Sequence, residues 1–374
     1  MIERQLFEEL KKRMFSGKAI VINGPRQVGK TTLINELLNN QNQNVLFLDG
    51  DDQKIRELLS EPLESQIAQI IGNNKIVFID EAQRIQNIGL TGKIITDQFK
   101  NVQLILSGSS SFELSEYIQE PLTGRKWQYN LYPISWKEFE KHFGYLEAEK
   151  RIDNQLVFGF YPDIINHPQD QKEILHQLVD SYLYKDILAY DGLRKPQIIQ
   201  KLTRALAYQV GQEIRYSELS KLVGVDTKTI ERYIDILEKA YVVFRLPAFS
   251  RNLRNEIKKS KKIYFYDNGV RNAVINSLEP FSVRNDRGHL WENFLVSERV
   301  KQNAYKRNFG ELYFWRTKQQ QEIDLIEEID NELKVFEFKL NPQAKASLSK
   351  TFISNYKPSH SAIINRSNFR EFVQ

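Results

Sequence analysis

The sequence predicts an α/β protein whose amino-terminal third is a parallel sheet covered by helices. Apolar runs recur at 18–23, 44–48, 75–79 and 102–106, and the segments between them have the length and apolar spacing of helices. Continuous apolar strands that alternate with helices are typical of a parallel sheet with both faces covered. A glycine-rich loop directly after the first run supports the same fold, because such loops join a strand to a helix in these sheets.

Composition excludes several classes of protein. No apolar run approaches the ~20 residues needed to span a bilayer, and the first ten residues predict an amphipathic helix without the apolar core of a signal peptide. We therefore expect a cytoplasmic protein with no membrane partner. The chain has no cysteine and five scattered histidines, which excludes disulfides and argues against a zinc site. The net charge of +5 is compatible with a polyanionic partner but is weak evidence by itself.

The glycine-rich loop predicts a site for nucleotide phosphates. Gly24, four intervening residues and Gly29-Lys30-Thr31 have the spacing that lets backbone N–H groups point inward at a helix N-terminus. Lys30 would reach the phosphate oxygens and Thr31 would bind Mg²⁺. The predicted ligands are therefore ATP and Mg²⁺, and the binding residues are Gly24, Pro25, Arg26, Gln27, Val28, Gly29, Lys30, Thr31 and Thr32.

Two further strands end in polar residues that fit the same site. The run at 75–79 is followed by Asp80 and Glu81, and the run at 102–106 is followed by Ser107 and then Ser109. Ligand sites in open α/β sheets lie beyond the carboxyl ends of the strands. We expect Asp80 to hold the Mg²⁺ shell and Glu81 to act as the base that orients the attacking water. Ser107 or Ser109 would sense the γ-phosphate, or would be an ordinary turn residue.

The chain is predicted to contain three domains. The ATPase-like sheet occupies 1–140, a helical region with a helix-turn-helix occupies 141–270, and a small α+β domain occupies 271–374. Short alternating segments predict strands at 241–246, 262–266, 311–315, 322–327 and 333–340.

The helix-turn-helix is predicted at 216–239. Its first helix has an apolar stripe of Leu219, Leu222 and Val223, and Gly224 supplies the turn. The second helix would point Lys228, Thr229 and Arg232 outward, where a recognition helix contacts bases. Strands at 241–246 and 262–266 would form a wing whose basic residues are Arg251, Arg254, Lys258 and Lys259. The alternatives are a solvated basic loop and a winged helix that contacts protein.

The carboxyl-terminal strands predict a cluster of charged residues. Glu322 and Asp324 would share one strand face, with Ile323 and Leu325 on the other. On the next strand Glu337 and Lys339 would lie together, opposite Phe336 and Phe338, and Glu292 could join them from a helix. The alternative is an ordinary amphipathic hairpin with its charges in solvent.

Several of these motifs resemble known families. The glycine loop, Asp80-Glu81-Ala-Gln-Arg, Leu122-Thr-Gly124-Arg125 and Tyr132-Pro-Ile-Ser135 resemble the prokaryotic AAA-type ATPases, in a subgroup whose carboxyl-terminal domain has no known function. This resemblance implies that Arg125 contacts the γ-phosphate, as an arginine finger of a neighbouring subunit if the protein is an oligomer. A structural arginine at the start of a strand is the alternative.

The spacing of Asp324, Glu337 and Lys339 resembles the Asp…Glu-x-Lys motif of proteins with the restriction-endonuclease-like fold. In that likeness Asp324 and Glu337 hold Mg²⁺ at the scissile phosphate, and Lys339 positions the water. A degenerate nuclease fold kept for binding is equally compatible with so short a motif. Three functions therefore stay open. They are an ATPase that remodels or cleaves DNA, a nucleotide-dependent switch with a protein-interaction module, and a DNA-binding regulator that uses ATP only for its conformation.

Overall fold

The computed structural model describes residues 1–109, 121–180, 196–251, 260–317, 319–343 and 347–374. The chain forms two compact units, one of residues 1–133 with 239–241 and one of residues 134–238 with 242–374. The first unit therefore ends close to the predicted boundary at residue 140. The predicted boundary at residue 270 lies within the second unit. No helix among the described residues is both long and apolar enough to cross a membrane.

The first unit is built on a parallel sheet of five strands. These are β1 Ala19–Asn23, β2 Val45–Asp49, β3 Ile76–Asp80, β4 Gln103–Gly108 and β5 Lys126–Asn130. Their order is β2-β3-β4-β1-β5, and all four pairings are parallel. Strand β4 thus lies between β3 and β1, which places the ends of all three strands at one edge. The fold class predicted from the apolar runs is confirmed.

Among the described residues of this unit, five helices accompany the sheet. They are α1 Leu6–Arg13, α2 Lys30–Asn39, α3 Gln53–Ser60, α4 Glu64–Ile71 and α5 Ile88–Gln98. Strands β1, β3 and β4 are buried along their whole length because neighbouring strands and helices cover them. One apolar core contains alternate residues of β3, Val77 and Ile79, together with Ile67, Ile88 and Ile95 of the helices.

Strand β5 has no apolar run, and the sequence indicated it only through the alternative interpretation of Arg125 as an arginine at the start of a strand. Its residues, Lys-Trp-Gln-Tyr-Asn, alternate polar with aromatic side chains, and most are only partly buried because β5 is an edge strand. An edge strand needs no continuous apolar run, so the pattern that revealed β1 to β4 is absent here. The pairing of Ala19 with Lys126 and of Asn23 with Asn130 fixes its register against β1.

The second unit begins with helices and continues into two sheets. Its first helices are α6 Trp136–Phe143, α7 Tyr145–Phe158, α8 Pro162–Asn166, α9 Gln171–Leu178 and α10 Pro196–Tyr208. Helix α6 starts with a capping box, in which Ser135 accepts from the Glu138 N–H and Glu138 accepts from the Ser135 N–H at 2.9 Å. The motif Ser-Trp-Lys-Glu therefore sets the start of this helix.

A helix pair and an antiparallel hairpin follow where the sequence predicted them. The elements are β6 Glu213–Ile214, α11 Tyr216–Val223, α12 Thr227–Lys239, β7 Val243–Pro247 and β8 Lys261–Phe265. The three strands form an antiparallel sheet in the order β6-β8-β7. Leu219 and Val223 are buried as expected, but Leu222 is 66% exposed and does not belong to the apolar stripe. A helix of eight residues has room for only a narrow buried face.

The carboxyl-terminal part contains a mixed four-stranded sheet and its helices. The elements are α13 Asn268–Val274, α14 Arg287–Tyr305, β9 Glu311–Arg316, β10 Glu322–Ile329, β11 Glu332–Phe338, α15 Lys350–Tyr356, β12 His360–Ile364 and α16 Phe369–Val373. The order is β12-β11-β10-β9, with β12 parallel to β11 and the other pairs antiparallel. The sequence predicted β9, β10 and β11 but not β12.

The predicted alternation along β10 is wrong after Asp324. The register against β9 shifts between Ile323 and Ile326, and these two residues pack in the same apolar cluster. Leu325 therefore does not share a face with Ile323, as strict alternation required. A β-bulge of this kind moves the following side chains to the opposite face of the strand from the one that strict alternation predicts. No residue pattern in the strand predicts the bulge.

Candidate functional site

The glycine loop between β1 and α2 has the backbone geometry that phosphate binding requires. Gly24 and Gly29 both have positive φ, at 154° and 90°. A Cβ on Gly24 would lie 2.0 Å from the Leu131 carbonyl oxygen, so no other residue fits there. The loop ends at the first turn of α2, where backbone N–H groups lack helical partners and the helix dipole favours anions. These constraints give residues Gly24–Thr32 the backbone shape that the predicted phosphate site requires.

Lys30 lies buried at the start of α2. Its ammonium donates to the Gly24 and Pro25 carbonyl oxygens at 2.9 and 2.8 Å, and the residue is 6% exposed. Burial lowers the pKa of Lys30 to about 8, although Glu81 and Asp80 oppose the shift. A buried ammonium bonded to neutral carbonyl oxygens would form stronger hydrogen bonds with phosphate oxygens, because these are charged.

Thr31, Asp80 and Ser107 form one hydrogen-bonded group. The Thr31 hydroxyl donates to Asp80 Oδ2 at 2.6 Å, and the Ser107 hydroxyl donates to Asp80 Oδ1. Asp80 ends β3, Ser107 lies on β4 and Thr31 lies in the first turn of α2. The polar atoms of this group are all oxygens, which fits Mg²⁺. Magnesium held here would neutralise charge on the phosphates, with Thr31 as a ligand and Asp80 beside it.

The hydroxyl of Ser107 has a partner within the protein. The side chain is fully buried and donates to Asp80 Oδ1, an arrangement that orients this carboxylate. A contact of Ser107 or Ser109 with the γ-phosphate stays a prediction. Ser109 lies two residues further along and donates to Glu81 Oε2 at 3.1 Å. The two serines therefore hold Asp80, which ends β3, and Glu81, which follows it.

Two side chains at this site had no clear signal in the sequence. Arg4 is 6% exposed and donates to the carbonyl oxygens of Val28 and Tyr132, each at 2.6 Å, so it ties the glycine loop to the segment after β5. Gln83 donates from Nε2 to Glu81 Oε2 and, at 2.9 Å, to Ser109 Oγ. The sequence offered one hint of the contact between Gln83 and Glu81, namely that Gln83 lies two residues after Glu81.

Comparison with known proteins agrees with this geometry. Residues 16–140 match the family model of the AAA domain, and residues 149–280 and 287–374 match two families described as domains of unknown function, DUF8612 and DUF4143. Residues 16–140 therefore form an AAA domain, and the chain is an ATPase. Among solved structures it is similar to the Walker-type ATPase PABY2304 of Pyrococcus abyssi. The TM-score is 0.50 and the identity 15%, with 73% of this chain and 96% of that one covered.

Curated relatives extend the similarity beyond the ATPase domain. The chain is 27% identical over 282 residues to an uncharacterized protein of Haemophilus influenzae, which covers 68% of both chains. It is 25% identical over 335 residues to an uncharacterized protein of Methanocaldococcus jannaschii, which covers 84% of this chain and 73% of the relative. These matches are longer than the ATPase domain, so this domain and at least part of the following segments occur together in other proteins.

The remaining ATPase residue of the sequence analysis, Arg125, lies away from the glycine loop. It precedes β5 and donates from Nε to Asp97 Oδ1 at 2.7 Å, a bond that lowers the pKa of Asp97. Because β1 and β5 are parallel and Arg125 is next to their amino ends, the length of a strand separates it from the loop. Arg125 thus cannot contact the γ-phosphate of its own chain, and that part of the prediction is wrong. A contact with a neighbouring subunit stays a prediction.

The residues predicted to contact DNA divide into three groups. Lys228 and Arg232 are exposed on α12, one turn apart, and neither forms an ion pair with a residue that the structure describes. Thr229 instead uses its hydroxyl and N–H to bind the Asp226 carboxylate at 2.7 and 2.9 Å, so it belongs to the helix cap. Arg251 is exposed. Arg254, Lys258 and Lys259 lie outside the described residues.

The predicted carboxyl-terminal cluster is present. Lys339 Nζ donates to Glu337 Oε1 at 2.7 Å, and Asp324 Oδ2 accepts from the Phe338 N–H at 2.7 Å. Burial raises the pKa of Asp324 to about 8, and the charges of Glu292 and Glu337 add to the shift. Burial likewise raises the pKa of Glu337. Phe336 and Phe338 pack against Phe372 on the opposite face, as the alternation predicted.

A lysine that the sequence analysis did not include enters this cluster from β8. The ammonium of Lys262 lies 2.6 Å from Glu322 Oε1 and 3.3 Å from Glu292 Oε1, and its side chain is 3% exposed. Burial alone would lower the pKa of Lys262, but Glu292, Glu322 and Asp324 outweigh it and raise the pKa. Tyr264 also donates to Glu292, at 2.7 Å. Glu292 and Glu322 are therefore paired with a buried cation of the protein itself.

The cluster does not fit a metal ion as it stands. Within the described parts of the chain, no group of three or more His, Cys, Asp or Glu side chains is arranged to hold one. Lys262 holds Glu292 and Glu322, Lys339 holds Glu337, and a backbone N–H holds Asp324. Chemistry has to be argued from a site and not from a fold, so the Mg²⁺ predicted at Asp324 and Glu337 has no support in this arrangement.

Proposed function

We propose that this protein uses ATP hydrolysis to remodel DNA that it binds through the second helix of its helix-turn-helix. The observation that carries the proposal is the pair Lys228 and Arg232, which are exposed on α12 while Ile230, Tyr233 and Ile234 of the same helix are buried. A helix anchored by one face that presents cations on the other is suited to phosphate and base contacts.

The absence of internal partners strengthens this argument. Two nearby cations of the same unit are used within the protein. Arg245 pairs with Asp235 and Glu238, and Arg215 pairs with Glu218. Lys228 and Arg232 have no such partner among the described residues. Phosphate binding by these two cations therefore breaks no ion pair of the described chain, and it releases counterions from the DNA.

Remodelling is proposed in preference to cleavage because of Lys262. Its ammonium forms ion pairs with Glu322 and Glu292, and its positive charge also opposes the rise that burial causes in the pKa of Asp324, one of the two predicted metal ligands. A cation of the protein itself therefore already acts on carboxylates that a nuclease would use to bind a divalent cation. We regard Asp324, Glu337 and Lys339 as residues of a nuclease-like domain that form hydrogen bonds within it and do not cleave DNA. The cofactors of the protein are then ATP and the Mg²⁺ that accompanies it at Thr31 and Asp80.

The test is incubation with linear and branched DNA and Mg²⁺, with and without ATP, beside the variant Asp324→Ala. We expect DNA to be bound and left intact by both proteins. Cleavage by the wild type that disappears in the variant would contradict remodelling and make the cluster catalytic. Failure to bind any DNA would favour a nucleotide-dependent switch whose second unit contacts protein.

The helix contribution is measured separately by salt dependence. Replacing Lys228 and Arg232 by alanine should weaken DNA binding and reduce the slope of log affinity against log salt by about two, one for each phosphate that is no longer neutralised. Lys172→Ala, which removes an exposed cation from α9, is the matched control and should leave the slope unchanged. An unchanged slope in the double variant would exclude α12 as the surface that binds DNA.

We further propose that the protein assembles so that Arg125 completes the ATP site of a neighbouring subunit. Arg125 is part-exposed, lies next to the amino end of the parallel sheet and is held by Asp97. Arg125→Ala and Lys30→Ala should each be inactive alone, yet a mixture should recover turnover. In that mixture the intact glycine loop of an Arg125→Ala subunit can be completed by the intact Arg125 of a Lys30→Ala subunit. No recovery at any mixing ratio, with both variants folded, would contradict a contact in trans.

A further inference from the structure

The carboxylate of Glu81 is held from one side only. Oε2 accepts hydrogen bonds from Gln83 Nε2 and from Ser109 Oγ, the latter at 3.1 Å. No described residue donates to Oε1. A general base needs one oxygen that receives the proton and a fixed orientation of the carboxylate. The contacts at Glu81 provide both, because they fix one oxygen and leave the other open.

Gln83 is oriented by this carboxylate. Its Nε2 also donates to Ser109 Oγ at 2.9 Å, so both amide hydrogens point towards the Glu81–Ser109 pair. Turning the amide over would place a carbonyl oxygen against a carboxylate oxygen, which excludes the reverse orientation. Gln83 is 8% exposed, and its own Oε1 is buried without a hydrogen-bond partner in the described chain.

Two energetic costs meet at these residues. A buried carbonyl oxygen without a protein partner is unfavourable for the folded state. Glu81 has φ 45°, in the left-handed region that a residue with a side chain rarely adopts, and such a conformation is also unfavourable. A glutamine kept only for stability would satisfy both ends of its amide. Costs of this kind are retained where a site needs them.

The backbone around Glu81 is held as firmly as its side chain. The Gly50 N–H donates to the Asp80 carbonyl oxygen at 2.9 Å, and a Cβ on Gly50 would lie 2.4 Å from the Glu81 carbonyl oxygen. The loop after β2 therefore packs directly on the peptide that carries Glu81. Side chain and backbone are both held by contacts within the protein, which is the arrangement that lowers the cost of reaching the transition state.

We infer that Gln83 and Ser109 are the positioning residues for the catalytic carboxylate of Glu81 in ATP hydrolysis. Both residues act through Glu81. Gln83 binds Oε2 and so directs Oε1 to the attacking water, and Ser109 forms hydrogen bonds with both Gln83 and Glu81. The inference rests on the ATPase activity and is independent of the proposed action on DNA. Neither residue touches the glycine loop through a described hydrogen bond, so nucleotide affinity should not depend on them.

The experiment compares kcat, KM and nucleotide affinity in Gln83→Leu, Ser109→Ala and Ser109→Thr. Gln83→Leu should lower kcat by roughly 10- to 100-fold, as part of the 10²–10⁴ that a positioned base supplies, and leave ATP affinity within about twofold. Ser109→Ala should lower kcat about tenfold, and Ser109→Thr, which keeps the hydroxyl, should restore it. Gln98→Leu makes the same change as Gln83→Leu at the last position of α5 and should have no effect.

A second comparison separates positioning from a structural role. Because Gln83 acts through Glu81, Gln83→Leu combined with Glu81→Gln should show the same residual turnover as Glu81→Gln alone. Wild-type kcat in Gln83→Leu, or a loss of ATP affinity equal to the loss of kcat, would overturn the inference. If Gln83→Leu does not fold, the pair Ser109→Ala and Ser109→Thr decides, since equal kcat in these two variants would also overturn it.

Discussion

Arg4 offers the sharpest test of how the glycine loop is held. It is a buried cation whose guanidinium donates at 2.6 Å to the carbonyl oxygen of Val28 in the loop and at 2.6 Å to that of Tyr132. Replacing it with methionine keeps much of the apolar stem and removes both donors. The bond to Val28 acts on the loop itself, whereas the bond to Tyr132 anchors the arginine on the segment after β5.

The size of the effect follows from the bond to Val28. A hydrogen bond from a charged group contributes about 1.5–3 kcal/mol. Without it, part of the free energy of nucleotide binding is needed to order the glycine loop, so the affinity for ATP falls. A cost of about 1.4 kcal/mol corresponds to tenfold in affinity. We therefore expect Arg4→Met to weaken ATP binding about tenfold or more. Arg4→Lys, which has a single ammonium in place of the fork, should be intermediate.

The assay is titration with a fluorescent ATP analogue at constant ionic strength, after thermal unfolding has shown that each variant is folded. Lys12→Ala is the control, because it removes an exposed cation from the adjacent helix α1. It should bind ATP like the wild type. Affinity of a folded Arg4→Met protein within twofold of the wild type would refute the idea that Arg4 preorganises the loop.

Three further predictions concern the packing and charge of single residues. Gly24→Ala places a Cβ 2.0 Å from the Leu131 carbonyl oxygen. Urea titration should therefore show a stability decrease of about 1–3 kcal/mol, and ATP binding should disappear. The control Gly288→Ala, where a Cβ meets open space, should leave stability unchanged or increase it. Ser107→Ala removes the hydroxyl that holds Asp80, and the Mg²⁺ concentration for half-maximal turnover should rise about tenfold; an unchanged value would contradict this role. The pKa of Asp324 is raised from 3.8 to about 8, so the folded state binds the extra proton and wild-type stability falls as pH rises through that window. Asp324→Asn removes this dependence, and its stability relative to wild type in urea should increase from about pH 5 to about pH 8; a constant difference would contradict the raised pKa.

The ATP site could be predicted because its main residues are local. The glycine loop, Asp80 and Glu81 each occur within a few residues of a strand end, and the parallel sheet brings those ends to one edge. Backbone geometry and strand order therefore suffice to bring these residues together. The positions of β1 to β4 followed from the same apolar runs.

The residues that hold this site could not be predicted. Arg4 reaches the glycine loop across 24 positions, and Gln83 contacts a serine 26 positions away, just after β4. Ser107 was correctly placed near Asp80, but which group its hydroxyl binds depends on side-chain orientation between two strands. Sequence spacing fixes which face a residue shares with its neighbours, and it does not determine the partner chosen on that face.

The second unit shows the same limit. Asp324, Glu337 and Lys339 were assigned to one cluster from the alternation of two strands, and the structure brings them together. Lys262 lies on a different sheet, so the strand pattern could not include it, although it brings a positive charge into the cluster and pairs with Glu292 and Glu322. The bulge after Ile323 was likewise invisible, because it arises from pairing with β9.

The central claim, hydrolysis of ATP at the glycine loop with Glu81 as base, is tested most directly by phosphate release with Mg²⁺ and ATP. Nucleotide binding is measured on the same samples of the wild type, Lys30→Ala and Glu81→Gln. The wild type should release phosphate, Glu81→Gln should bind ATP without turnover, and Lys30→Ala should lose binding, turnover or both. Phosphate release by Lys30→Ala at the wild-type rate would contradict the account, as would full turnover in Glu81→Gln.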